Sequence, residues 1–159
     1  MTYTTDYVWQ MQTRENDRTV AVRFDTIRLP RPMRVEYPRS PDELVDHWQQ
    51  DDGCFLVVRN IQDEVIGFLD AQPHPWQKLL WISNLVIDQP YRQQGFGSRL
   101  IKVASRWALK RDLARLMVEV QTKNHPAISF AQKHGFQFCG YNERYYPNGD
   151  IALFFSLSL

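Results

Sequence analysis

A chain of 159 residues, 43% hydrophobic and 23% charged, has the size of one domain and enough apolar material for one core. Its 19 basic and 18 acidic side chains leave a formal net charge of +1, which excludes the one-signed field of a general nucleic-acid binder. No apolar run reaches membrane-spanning length, and the opening MTYTTDYVWQ lacks the basic-then-apolar pattern of a secretory leader.

The first forty residues hold two extended candidates. YVWQMQ and TVAVRFDTIRL are rich in β-branched residues and partly alternate. LPRPMRVEYPRSP is interrupted by prolines, which lack the amide that a sheet needs, and is expected to be a loop or edge segment. Ser40-Pro41-Asp42-Glu43 reads as a helix start, with a capping serine, proline at the first helical position and acids in the first turn. That helix is expected to end near Asp52-Gly53.

Three strands follow. CFLVVRN and EVIGFLDAQ flank the hairpin turn IQDE, and LLWISNLVID is reached through the loop QPHPWQK. Leu100, Val103, Ala104, Trp107 and Ala108 then form an apolar stripe at helical spacing. Arg99, Lys102, Arg106 and Lys110 lie opposite, as a solvated basic face. RLMVEVQ is a strand. HPAISFAQKHG is a short helix, with Pro126 in its first turn and Gly135 as its stop. FQFCGYNERY and DIALFFSLSL are the final strands, joined by the turn PNG. This order describes one α/β (α+β) domain over residues 1–159, with a mixed sheet. The stretch from Leu79 to Gln121 is long enough for a crossover between parallel strands.

Cys54 and Cys139, the two cysteines, stand in apolar strand-like segments. They are expected to be buried free thiols, as in a reducing compartment such as the cytoplasm. The four histidines show no metal-ligand spacing, so no metal is expected. Trp81 and Trp107 are expected to face the core. Trp76, in a loop, is a candidate for lining an acceptor pocket.

NLVIDQPYRQQGFGSRLI places Gly95 and Gly97 between a strand and a helix. A helix start offers unpaired amides and a positive dipole end, and glycine lets a phosphate approach. Three better-known phosphate loops do not match. Ser98-Arg99 follows Gly97 where a P-loop needs lysine. Leu100 stands where a dinucleotide fingerprint needs a small residue. A kinase glycine loop lies in a hairpin. On glycine spacing alone, a plain tight turn and a phosphate cradle stand level.

The wider context resembles the GNAT superfamily of N-acetyltransferases. Arg92-Gln93-Gln94-Gly95-Phe96-Gly97 is similar to its Gln/Arg-x-x-Gly-x-Gly/Ala motif. NLVID is similar to the strand before that motif. VEVQTKNHPAISFAQKHGF is similar to its downstream strand–Asn–helix–Gly-Phe segment, with Asn124, Ala127, Phe130, Lys133, Gly135 and Phe136 matching. The aromatic, acid-bearing C-terminal segment weakly resembles the streptothricin-acetyltransferase-like branch.

The resemblance implies a central, mostly antiparallel sheet of about seven strands with a V-shaped opening between the family's fourth and fifth strands. It implies acetyl-CoA as donor and direct attack by a primary amine, small-molecule or peptide, in a ternary complex. Leu85, Val86 and Ile87 would hold the pantetheine by their backbone, with an oxyanion donor near Val86 or Ile87. Arg92 and the amides of Gln93, Gln94, Gly95, Phe96, Gly97 and Ser98 would hold the pyrophosphate. Asn124 and Lys133 complete the cofactor set. Glu119 is the candidate general base, through water, with Asn84, Asp70 and Asp88 as alternatives. Ala131 departs from the pattern, because many members carry a tyrosine acid there. Tyr141, Tyr145 and Tyr146 are the substitute candidates. Tyr145, Tyr146 and Asp150 are also candidates for holding a cationic amine. The rival reading is a non-catalytic acyl-CoA-binding or sensing module. A homodimer through the N-terminal strands is possible; neither nucleic acid nor membrane is expected as a partner.

Overall fold

The computed structural model describes residues 2–38, 42–49 and 52–159. The chain opens with β1 (Thr2–Asn16) and β2 (Thr19–Glu36), a long antiparallel hairpin. The proline-bearing stretch, expected as a loop or edge segment, is part of β2, an edge strand of this two-stranded sheet. Tyr7 faces Arg28 and Thr5 faces Met33, so residues 29–32 bulge out opposite Asp6. Pro30 and Pro32 sit in that bulge, where no ladder bond is asked of them. The hairpin is tied to the body by the Trp9 amide, which donates to the Thr122 carbonyl at 2.9 Å. The Tyr3 hydroxyl also donates to Gln121 Oε1 at 2.9 Å.

Helix α1 (Asp42–Trp48) is shorter than the sequence suggests, and its expected cap at Ser40-Pro41 lies outside the described residues. Then come β3 (Cys54–Arg59), β4 (Val65–His74), β5 (Leu79–Ile87), α2 (Phe96–Leu109), β6 (Arg115–Gln121), α3 (His125–Lys133), β7 (Gln137–Asn142) and β8 (Ala152–Ser158). The last two strands are joined by residues 143–151, a longer link than the PNG turn alone.

The main sheet has six strands in the order β3-β4-β5-β6-β8-β7, with the hairpin as a separate two-stranded sheet. This replaces the single sheet of about seven strands expected from the sequence. Every pairing is antiparallel except β5 with β6. That parallel pairing runs only from Leu79–Ile82 against Arg115–Val118. Yet β5 stays on β4 as far as Ile87, and β6 stays on β8 as far as Gln121. Beyond Ile82 and Val118 the two strands therefore part, and the sheet opens between them.

One face of the sheet carries Leu80, Ile82, Leu116, Val120, Leu153 and Phe155 into a core shared with Leu100, Ala104, Ile128 and Phe136. Helix α2 buries Leu100, Ile101, Ala104 and Ala108. At 3.6 residues per turn these span roughly 100° of its circumference. Trp107 falls at the margin, with the Arg111 guanidinium stacked 3.7 Å from its ring centroid. Val103 falls beyond it and is 45% exposed, so the expected stripe was out of phase and omitted Ile101. Strand alternation puts Trp81, between buried Leu80 and Ile82, on the other face rather than in the core. Cys54 is buried and Cys139 exposed, both as free thiols. Cys139 is the extra residue of a bulge, since Phe138 faces Phe155 and Gly140 faces Phe154. A bulge on an edge strand turns its residue out of the ladder.

Candidate active site

The turn between β5 and α2 begins with a short 3-10 segment, Gln89–Tyr91. Arg92 Nε donates to the Ile87 carbonyl at 2.9 Å, tying the turn to the end of β5. Gln93 and Gly95 both adopt positive φ, 62° and 85°, so the chain winds tightly into the helix. Among the described residues, the amides of Gln93 through Ser98 have no acceptor, while the Arg99 amide bonds the Gly95 carbonyl. The turn thus offers a row of N–H groups at the positive end of α2, the chemistry that holds a phosphate.

The two glycines have different reasons to be glycine. A Cβ on Gly95 would meet open space, but the backbone there is left-handed, which disfavours other residues. A Cβ on Gly97 would come within 3.1 Å and 3.2 Å of the Phe130 ring. Gly97 is buried and lets α2 close against α3. Packing is thus a reason for glycine here beside the phosphate access that the sequence suggests.

Ser98 links the same two helices. Its Oγ lies 2.6 Å from His134 Nε2, and His134 Nδ1 lies 2.7 Å from the Phe130 carbonyl. A carbonyl only accepts, so Nδ1 carries the proton; in the neutral ring Nε2 then accepts from the Ser98 hydroxyl. Asn124 caps α3, its side chain accepting from the Ala127 amide at 3.2 Å, which leaves the Nδ2 group as its possible donor to a ligand. Lys133 is exposed in the last turn of α3.

Leu85, Val86 and Ile87 are half-buried on β5 past the parting point. They pair with Leu69, Phe68 and Gly67 of β4 and have no β6 partner. One edge of β5 therefore faces the opening without β6 ladder partners, the Ile87 carbonyl being taken by Arg92 Nε. Across it stands Glu119, 7% exposed, the first residue of β6 beyond the pairing. Its Oε2 accepts from Trp81 Nε1 at 2.9 Å. Val118 and Val120 turn to the core face, as the alternation predicts.

The tyrosine candidates separate. Tyr141 lies on β7, the outermost strand, opposite Leu153 and against Phe24 at 5.4 Å between ring centroids. It is two strands removed from β6. Tyr146 is 3% exposed, with its ring against Tyr145. Tyr145 contacts Phe154 at 5.6 Å, and Phe154 contacts Trp81 at 5.8 Å, so an aromatic chain runs from Tyr145 to the Glu119 partner. Ala131 is buried in the core cluster.

Two suggested acceptor contacts do not come together. Asp150 is held by the Lys123 ammonium at 2.5 Å, by Gln121 Nε2 at 2.8 Å and by Asn148 Nδ2 at 3.0 Å, so its charge is already met. Trp76 is 84% exposed in the 3-10 turn Pro75–Gln77 before β5, at the closed end of the β5–β6 pair. Asp88 donates its amide to the Ile66 carbonyl at 2.9 Å, at the far end of β5.

Asp70 and Asn84 face each other across β4 and β5, with Asn84 Nδ2 donating to Asp70 Oδ2 at 3.1 Å. His47 Nδ1 donates to the same oxygen at 2.6 Å. Asp70 is 1% exposed. Sequence reading missed His47, because nothing local marks one histidine at the end of a short helix as the partner of an aspartate in a distant strand.

A model of the Acetyltransferase (GNAT) family matches residues 22–136. A streptothricin acetyltransferase of Escherichia coli is 30% identical over 109 residues, covering 69% of this chain and 58% of that protein. One from Streptomyces lavendulae is 30% identical over 110 residues, covering 67% and 58%. The chain thus matches less than two thirds of the length of these relatives. The crystal structure of nourseothricin acetyltransferase superposes with a TM-score of 0.81 at 23% identity, over 99% of this chain and 86% of that one. A Bacillus anthracis str. Ames protein solved in complex with acetyl coenzyme A superposes with a TM-score of 0.80 at 20% identity, over 99% and 87%.

Proposed function

The chain belongs to the GNAT acetyltransferase family, and from that premise we propose that it binds acetyl-CoA in the β5–β6 opening and acetylates a primary amine in a ternary complex. One observation carries the reading. The strand that loses its neighbour after Ile82 leads directly into a turn whose amides, Gln93 to Ser98, lack acceptors among the described residues. An extended amide-bearing chain ending in a pyrophosphate suits that sequence of donors: backbone of Leu85 to Ile87 first, then the turn with Arg92 beside it.

Acetyl-CoA, when bound, supplies an activated acetyl group on a leaving thiolate. The chain's own contribution is placement and proton handling. Glu119 stands at the parting point to take the proton of the acceptor ammonium, directly or through water, with Trp81 fixing the carboxylate. Backbone N–H groups of β5 near Val86 and Ile87 are suited to meet developing negative charge. Tyr145, reached through Phe154 and Trp81, is the side chain that best replaces the tyrosine absent at Ala131. The acceptor is a small-molecule or peptide amine. The two free thiols suit a cytoplasmic setting.

Ala131, which has no proton to donate, favours one other reading, a module that binds acyl-CoA without turnover. Two measurements decide. Calorimetry with acetyl-CoA and CoA tests the cofactor seat, and absence of binding at millimolar ligand would sink it. Thiol release over a panel of amines separates enzyme from binding module.

A further inference from the structure

On the face of the sheet that carries Glu119 and Trp81, a cavity of about 290 Å³ lies over β3 and β4, lined by His47, Trp48, Phe55, Asp70 and Gln72. Its chemistry is that of a cation seat. Asp70 is a carboxylate at 1% exposure, and a buried charge demands a partner. Its Oδ2 accepts from His47 and Asn84. Oδ1 makes no hydrogen bond among the described residues, and the His47 contact is an ion pair only with that ring protonated. With Nδ1 donating to the carboxylate, the remaining His47 nitrogen is an acceptor in the neutral ring. No lysine or arginine appears among the described lining residues. Trp48 and Phe55, edge to face at 4.8 Å, supply an aromatic wall of the kind that attracts an ammonium.

A second observation points to a ligand. Gln72 Nε2 is buried without a hydrogen-bond partner in the wall of the same cavity. An orphaned buried donor is costly, and an oxygen of a bound molecule would satisfy it. Gly53 leaves room for this amide, since a Cβ there would lie 2.9 Å from Gln72 Nε2.

We propose that this cavity is a second-cation subsite: it seats a distal ammonium of the acceptor, beside a hydroxyl or carbonyl, while the reacting amine lies at the β5–β6 opening. The proposal rests on the acetyl-transfer reading above and names its substrate class, a diamine or polyamine. Strand spacing sets the length. From the opening to β4, or to the line between β3 and β4, is about 1.5 to 2 strand spacings, roughly 7–10 Å. That is the span of an extended diamine with about five to seven methylene groups.

The test compares hexamethylenediamine with hexylamine, which has one cation fewer. By thiol release, kcat/KM should favour the diamine about tenfold or more, and Asp70→Asn should collapse that ratio towards one. Trp48→Leu, at an exposed position, should lower the ratio several-fold. Equal specificity for the two amines in the wild type, or a ratio that Asp70→Asn leaves intact, overturns the proposal. Calorimetric titration of both amines into the CoA-saturated protein decides the point without turnover. Tighter diamine binding that Asp70→Asn abolishes supports the subsite even where no acetyl transfer occurs, an outcome that would sink only the transferase reading. Equal affinities overturn the subsite even where transfer proceeds.

Discussion

Trp81 Nε1 donates to Glu119 Oε2 at 2.9 Å, bridging β5 and β6 at the edge of the region where they part. Trp81 faces Met117 in the parallel pairing, which ends one residue later at Ile82 and Val118. The indole N–H can only donate, so the carboxylate is held by a neighbour that never competes for its proton-accepting role. Glu119→Gln preserves an acceptor for the indole and should leave the fold intact. It should lower kcat by about 10²-fold or more, the usual share of a general base, with the acetyl-CoA Kd nearly unchanged. Trp81→Phe removes a hydrogen bond to a charged group, which contributes about 1.5–3 kcal/mol. Steady-state kinetics, calorimetry and urea denaturation read the three quantities. Turnover that survives Glu119→Gln unchanged would remove the assignment.

The glycine pair gives a second prediction, because its members do separate jobs. Gly95→Ala forces a side chain into the left-handed region, at a cost of about 1–2 kcal/mol. It also disturbs the turn whose amides face the ligand, so acetyl-CoA affinity should fall about tenfold, one lost charge-assisted hydrogen bond. Gly97→Ala pushes on Phe130, 3.1 Å from the new Cβ, and overpacking of this kind costs about 1–3 kcal/mol. Its effect should appear in denaturation more than in affinity. The reverse pattern would mean that Gly97, not Gly95, shapes the seat.

These contrasts show what a sequence can and cannot carry. RLMVEVQ and HPAISFAQKHG were legible because alternation, Pro126 and Gly135 are local signals, and the elements observed are Arg115–Gln121 and His125–Lys133. The opening after Ile82 was legible only through resemblance, since no residue pattern announces where two strands part. The packing reason for Gly97 was not legible because it is a ring 33 positions away, at Phe130. Asp150, a sequence candidate for holding a cationic amine, is paired with Lys123, which no local pattern announces. Val103 was misplaced by the phase of a helix whose neighbours were unknown. Each miss is a contact between distant segments, and periodicity says nothing about those.

Asn124 has both a capping bond and a proposed ligand bond, and one substitution separates them. Serine caps as well as asparagine, whereas alanine loses about 1 kcal/mol. Asn124→Ser should therefore keep the thermal midpoint near that of the wild type. Without the side-chain amide donor, its acetyl-CoA affinity should fall several-fold. Calorimetry beside a thermal melt checks both, and an unchanged affinity in the serine variant would confine Asn124 to the cap.

The missing tyrosine gives a prediction of opposite sign to the intuitive one. Restoring it as Ala131→Tyr should not raise activity, because Ala131 is 3% exposed and lies in the apolar cluster with Ile128 and Phe136. The larger ring must overpack that cluster, at about 1–3 kcal/mol or more. Tyr145→Phe, by contrast, should lower kcat while Tyr141→Phe should not, because only Tyr145 joins the aromatic chain to Trp81. Thiol-release rates with thermal melts compare the three variants.

The thiols make the last prediction, and its sign follows from burial. Cys54 is 1% exposed, and desolvation pushes its thiol from 9.0 up to about 11, with the charge of Arg111 opposing and that of Asp70 reinforcing. The folded state therefore keeps a proton that the unfolded chain gives up earlier. By linkage this contribution to stability is fully present below about pH 9 and is lost as the pH rises towards about 11. Cys139 is exposed, although partial burial raises its thiol too. A thiol reagent at pH 8 should label one cysteine quickly in the native protein and the second only on unfolding. Cys54→Ala should flatten the fall in stability above pH 9, while Cys139→Ala should abolish the fast label. Two equally fast native thiols would contradict the burial of Cys54 and the placement of β3 against the core.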